Sequence, residues 1–162
     1  QKEIFRRVSG LLNLPVEEFI AERDNCGAPT LLLQLSQMAF LYAKLSKSDS
    51  AEFEKITRAM LKYPMMVAGE GKFDTELILR GHSQIISKGG SEGIQCISRL
   101  KEGLGLAIKV EDGSKRAKHA AAIHILRQLE WMTPSALDEL EENAFNKNPG
   151  VFLEVEGELK TP

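Results

Sequence analysis

SQIISKGGSEGIQCISRLKEGLGLAIKVEDG, residues Ser83 to Gly113, is the stretch whose reading decides the fold. Ser83 to Lys88 is a β-compatible run stopped by Gly89 and Gly90, Gly93 to Leu100 is a second, and Leu104 to Val110 is a third. Side chains alternate along a strand, so the third run sends Leu104, Leu106, Ile108 and Val110 to one face and Gly103, Gly105, Ala107 and Lys109 to the other. Lys109 therefore stands on a face with little bulk. Such a face is either an exposed strand surface or the floor of a pocket with something polar lying over it. Lys88-Gly89-Gly90 also reads two ways. Glycines after a strand lysine let a ligand approach the backbone, and a Gly-Gly pair is equally an ordinary way to end a strand.

On both sides of these runs the spacing is helical. Lys2 to Asn13 places Ile4, Phe5, Val8, Leu11 and Leu12 on one face. Thr30 is expected to cap a helix carrying Leu31, Leu32, Leu35, Met38, Ala39, Tyr42 and Leu45, and Asp49 to cap another that reaches Lys62 before Pro64. A short helix follows to about Arg80, with Asp74 as its candidate cap. Beyond the strands, Ser114 caps a helix with Ala117, Ala121, Ile125 and Leu129 spaced by four. Thr133-Pro134 opens one more helix to about Ala144, and Val151 to Leu159 alternates as a last strand. Helices, three adjacent strands, two helices and a strand predict a single α+β domain over residues 1–162, an antiparallel sheet packed with helices.

The 162 residues are 43% hydrophobic and 27% charged, enough for a core of normal size, and the formal charge is -2. Mixed signs along the chain give no basic stripe for nucleic acid and no polybasic anchor for a membrane. No apolar run approaches the roughly 20 residues of a membrane span, and the cytoplasm is the expected compartment. The first residue already belongs to a periodic segment and is not methionine, so the chain reads as cut from something longer, or processed. Two cysteines, Cys26 and Cys96, do not make a disulfide framework, and neither has a second Cys or His at metal-ligand spacing. Cys26 lies in a loop dense in turn residues, Arg23 to Thr30. It is placed either as an exposed ligand or reactive thiol, or as a small buried hydrophobe.

Four segments at consistent spacing carry the reading further: DNCGAP from Asp24, RAMLKYPMMVAGEGKFDTELI from Arg58, SKGGSEGIQC from Ser87 and GLGLAIKVEDGSKRA from Gly103, with NPGVFLEVEGEL near the end. Together they resemble the L-asparaginase II family, of the type described from Rhizobium etli. The resemblance implies a fold like serine β-lactamases and bacterial glutaminases, and hydrolysis of the L-asparagine side-chain amide to L-aspartate and ammonia. It implies paired serines and lysines for the chemistry, with zinc bound nearby by cysteines and a lysine as the cofactor of the complete enzyme. Residue by residue, it puts Lys109 at the strand lysine that activates a serine, Cys26 at a zinc ligand, Asp24 beside it as a substrate-contacting carboxylate, and Cys96 near the site. Lys88, Gly89 and Gly90 fall at the Lys-Thr-Gly strand of β-lactamases, whose edge pairs with substrate. A lysine desolvated over small residues loses its proton more easily and serves as a base for a hydroxyl.

The resemblance also implies that these residues correspond to the C-terminal half of such an enzyme. The half with the Ser-x-x-Lys nucleophile is expected in a partner subunit or a missing N-terminal half, with a homodimer as an assembly the resemblance allows. The chain alone is then expected to be inactive, because a site without its nucleophile forms no acyl-enzyme. Two functions follow: a fragment or subunit of an asparaginase, or a non-catalytic interaction module that keeps the fold. An exposed apolar face favours the first.

Overall fold

The structure, a computed structural model, describes residues 1–24, 26–145 and 153–160. The amphipathic start of the chain forms α1 (Lys2–Leu12), followed by a 3-10 turn at Val16–Glu18. The loop read around Arg23 is the tip of a hairpin. Its strands β1 (Ala21–Arg23) and β2 (Pro29–Leu31) are antiparallel, with Glu22 opposite Thr30. Thr30 is thus a strand residue, and α2 (Leu35–Lys47) starts later, capped by Gln34 in a reciprocal box with Gln37. Strands of three residues are too short for alternation to reveal them. Ser50, rather than Asp49, caps α3 (Ala51–Lys62) by accepting from the Phe53 amide. Pro64 is the first residue of the short helix α4 (Pro64–Ala68), and α5 (Phe73–Arg80) follows the Gly69–Gly71 turn.

The three runs from Ser83 onward form β3 (Ile85–Gly89), β4 (Ile94–Arg99) and β5 (Leu104–Lys109), antiparallel and in the order β3-β4-β5. Register sets Lys88 opposite Cys96 and Cys96 opposite Ala107, with Gly89 opposite Gln95. Helices α6 (Lys115–Gln128) and α7 (Pro134–Phe145) complete the domain, α6 capped by the Ser114 hydroxyl as its sequence predicts. The architecture is α+β. One sheet face buries Ile85, Ile97, Leu106 and Ile108 against Leu77, Ile123, Leu126 and Leu140 of α5, α6 and α7.

The opposite face explains the small residues of β5. Helix α2 lies directly on it: a Cβ added at Gly105 would overlap Ala39 O and Ala43 N and stand 2.8 Å from the Tyr42 carbonyl carbon. The Ser98 hydroxyl donates to Tyr42 O at 2.7 Å from the same face. The glycine and alanine positions are neither bare surface nor pocket floor; they admit a helix backbone at close range.

The expected last strand is absent over residues 153–160, and its start at Val151 and Phe152 lies outside the described residues, as does the turn at 146–150. Residues 157–159 run along α6, where the Gln128 amide nitrogen donates to Gly157 O at 2.9 Å and the Leu159 amide donates to Gln128 Oε1 at 3.0 Å. Side chains of one helix thus take the backbone groups that a sheet would have paired.

Gly105→Val is expected to destabilise the domain by at least ~2 kcal/mol in urea denaturation, because the helix backbone above it has nowhere to go. Gly10→Ala, inside α1 with nothing within 4 Å of the new Cβ, is expected to stabilise by ~0.5 kcal/mol.

Candidate active site

Strand β3 is an edge, and an edge strand leaves alternate backbone groups without a strand partner. At its end one of these groups is taken by a side chain from α5. The Gly89 amide donates to Asp74 Oδ2 at 2.8 Å, while Asp74 Oδ1 accepts from the Ser87 hydroxyl at 2.7 Å and from Gln95 Nε2 at 2.6 Å. Gln95 Nε2 also lies 2.7 Å from Ser87 Oγ. One carboxylate therefore holds the residues on both sides of Lys88. Asp74 is 7% exposed and Ser87 and Gln95 are fully buried, so each bond is made away from water, where losing it is costly. Gln95 Oε1 is buried without a hydrogen-bond partner among the described residues.

A second side chain holds the next peptide. Lys118, on α6 and 5% exposed, donates from Nζ to Gly90 O at 3.1 Å and to Ile94 O at 3.0 Å, closing the turn between β3 and β4. Burial pulls this ammonium below the usual lysine range, Asp74 opposes the fall, and Lys88 and Lys115 add to it. A Cβ on Gly89 would stand 2.8 Å from Lys118 Nζ, 3.1 Å from Gln95 Oε1 and 3.2 Å from Asp74 Oδ2, so only glycine fits among the three groups.

Lys88 itself points to the α2 face, is exposed, and donates to Gly89 O at 2.6 Å. It borders a groove of about 600 Å³ whose other walls are apolar, from Tyr42 and Leu45 of α2 through Ile56 and Met60 of α3 to Met66 of α4. Beside it in register, the Cys96 thiol is buried and pushed up to about 11 by burial and by Asp74, which leaves it protonated and inert. Tyr42 is raised for the same reasons, with Cys96 as a further contributor.

Lys109 shares the α2-side face with Lys88 but sits at the opposite edge of the sheet, opposite Ile94, where it is exposed and its ammonium donates to Glu92 O. The desolvation expected of it falls on Lys118 instead. Asp24 and Cys26 stand exposed at the tip of the β1–β2 hairpin, in a separate sheet, where Asp24 Oδ1 accepts from the Cys26 and Ala28 amides at 2.9 Å each. The structure thus brings together Lys88, Gly89, Gly90 and Cys96, with Lys109 across the sheet and Asp24 and Cys26 on another element.

The donors present do not make a zinc site. Among the described residues no three His, Cys, Asp or Glu side chains cluster, Cys26 stands without the other thiol, and one oxygen of Asp24 is committed to its own loop. Ser98 and Lys101 have Ser-x-x-Lys spacing, but the Ser98 hydroxyl is buried on a strand and bonded to Tyr42 O, while Lys101 is exposed in the following turn. That pair is not a nucleophile and its base.

Sequence reasoning read Asp74 as a helix cap and passed over Ser87, Gln95 and Lys118. The signals were there. Ser87 and Gln95 occupy the sheet face that also carries Ile85, Ile97 and Ile108, and Lys118 lies four and eight residues before Ala122 and Leu126 on the buried stripe of α6.

A single sheet with lysines on both edge strands, one of them flanked by glycines that buried polar side chains hold, sets the class: an α+β protein with a candidate amide-binding strand edge. The family model for L-asparaginase II matches residues 1–161, and the chain belongs to that family. It is by family an L-asparaginase-type amidohydrolase. No curated protein matches the chain. No helix among the described residues is long and apolar enough to cross a membrane.

His119, next to Lys118, stacks on Phe73 with ring centroids 4.0 Å apart. Burial and the Lys118 ammonium lower it from 6.5 to about 4. Its folded value is depressed, so the unfolded chain takes the proton first as pH falls. Stability is therefore expected to be flat above pH 6.5 and to fall between 6.5 and about 4, by at most ~2 kcal/mol because the ring is only partly buried. Urea midpoints measured across that range check this, and His119→Gln is expected to remove that part of the slope.

Proposed function

We propose that this chain supplies one side of an L-asparaginase active site, hydrolysing the side-chain amide of L-asparagine to L-aspartate and ammonia. The serine nucleophile comes from polypeptide outside residues 1–162, either a longer form of the chain, for which a homodimer is an allowed assembly, or a partner subunit of different sequence. A lysine of this chain takes the proton of the serine hydroxyl as its oxygen attacks the amide carbon. The C–N bond then breaks, the proton passes to the leaving ammonia, and water releases aspartate from the acyl-enzyme. The β3 edge holds the substrate. The hairpin residues Asp24 and Cys26 belong to the substrate side of the complete site. The reaction runs in the cytoplasm, in keeping with two unpaired thiols.

The observation that carries this reading is the support built around Lys88. Two buried side chains from two helices hold Gly89 and Gly90, while Lys88 projects beside an apolar groove. Rigid backbone on both sides of an exposed amine that donates to the Gly89 carbonyl is the preparation a base or a substrate clamp needs. Of the two strand lysines, Lys88 is therefore assigned the base, and Lys109 a role in binding at the far edge. The groove suits an apolar helix face of the nucleophile-bearing polypeptide, and the exposure of Met66 (87%) and Tyr63 (53%) at its rim fits a surface meant to be covered.

Ammonia release from L-asparagine tests this, with the chain purified alone and then mixed with a polypeptide carrying the N-terminal half of an L-asparaginase II enzyme. Activity is expected only in the mixture. Lys88→Ala is expected to lower it by at least ~100-fold and Lys109→Ala by less than ~10-fold. The reverse ranking would move the base to Lys109. No activity in any mixture would leave the interaction-module reading, and activity of the chain alone would show that the nucleophile lies within it.

A further inference from the structure

The starts of α5 and α6 lie against α7 around a second concavity, of about 270 Å³, away from the groove beside Lys88. Lys72, Lys115 and Arg116 line it together with His119, Asn143 and Glu76. Its charge is unbalanced. Glu76, the one acid in the lining, is bonded to Arg80, and none of the three cations makes an ion pair among the described residues. Among the described residues neither ring nitrogen of His119 nor the side chain of Asn143 has a hydrogen-bond partner, so neutral donors also line the concavity.

The position of the cations is itself costly. Lys115 and Arg116 are the first two residues of α6, whose first turn holds no acid, and Lys72 is the residue before α5 begins. Positive side chains at the positive end of a helix are unfavourable. Folding alone would favour Asp or Glu at these places. Three cations gathered around one small cavity repel one another as well, and an anion between them relieves both terms.

We propose that this pocket binds a small dianion, with Lys72, Lys115 and Arg116 neutralising its charge and His119 and Asn143 available to hydrogen-bond its oxygens. The volume admits a molecule the size of a phosphate monoester or a dicarboxylic acid. The shared chemistry is two negative charges on terminal oxygens. Two sources supply it: inorganic or esterified phosphate, and L-aspartate-like dicarboxylates. The inference is independent of any role for Lys88.

The test is calorimetric titration of the full chain with inorganic phosphate and, separately, with L-aspartate, at ionic strength matched with sodium chloride. Saturable binding with a Kd on the order of 1 mM or tighter is expected for at least one of them. The variant Lys72→Gln/Lys115→Gln/Arg116→Gln is expected to weaken it at least tenfold, while Lys55→Gln, on α3 and outside the pocket, leaves it unchanged. Far-UV circular dichroism shows whether the triple variant is folded, and its midpoint is expected to be equal or higher, since it sheds unfavourable charge. If it fails to fold, Arg116→Gln alone carries the comparison. Phosphate alone binding assigns the site to phosphate compounds, and aspartate alone assigns it to dicarboxylates. No saturation with either ligand, or equal affinity in the variant, would overturn the proposal.

Discussion

The Asp74 carboxylate is the interaction on which the rest depends. It lies on α5, a helix of only eight residues, yet it fastens that helix to the edge of the sheet through the Ser87 hydroxyl, the Gln95 amide and the Gly89 backbone. A buried carboxylate is tolerable only when its oxygens are satisfied, and here three donors converge on two oxygens. Removing the carboxylate would orphan those donors as well. Lys118 works from the opposite side with the same logic, spending two of its three protons on the carbonyls of Gly90 and Ile94. The end of β3 that carries Lys88, and the turn after it, are in this way anchored by buried side chains at an exposed strand edge.

This anchoring orders the chemistry around it. Lys118 is buried with two carbonyls on its ammonium, so its amine holds the fold; Lys88, between the two residues that Asp74 holds, turns its exposed side chain to the opposite face of the strand. The same neighbourhood holds the Cys96 thiol protonated, which removes a competing nucleophile from beside the proposed base. Phe73 and His119, the neighbours of Asp74 and Lys118, face the other way toward the cationic pocket. Two adjacent pairs of residues on α5 and α6 thus serve two different surfaces.

The sheet was legible in the sequence because β3, β4 and β5 are long enough for period-two alternation to show, and because Gly89-Gly90 and Gly103 mark their ends. The helices that follow were legible through Ser114 and Pro134. The β1–β2 hairpin was not, since three-residue strands carry no period, and residues 153–160 alternate but lie on α6 rather than on a sheet edge. The glycine face of β5 signalled close approach, but only the structure identifies the approaching body as α2. For the site, Lys88, Gly89 and Gly90 stood out as a strand lysine before two glycines, a pattern that equally ends a strand, and their substrate role rests on the family resemblance. Asp74 was read as a helix cap, and Gln95 and Lys118 were passed over. Local spacing marks Gln95 and Lys118 as polar groups at buried positions, but the partners of Asp74, Gln95 and Lys118 lie 15, 21 and 28 residues away in sequence, and only the fold brings them together.

Hydrogen exchange of the Gly89 amide, followed by NMR in the wild-type chain and in Asp74→Asn, tests the central claim most directly. An outward-facing amide of an edge strand exchanges quickly unless something accepts from it. The account predicts strong protection of Gly89 in the wild type, with exchange faster by at least about tenfold in the variant while the core amide of Ile97 changes much less. Rapid exchange of Gly89 in the wild type, or equal rates in the two proteins, would contradict it.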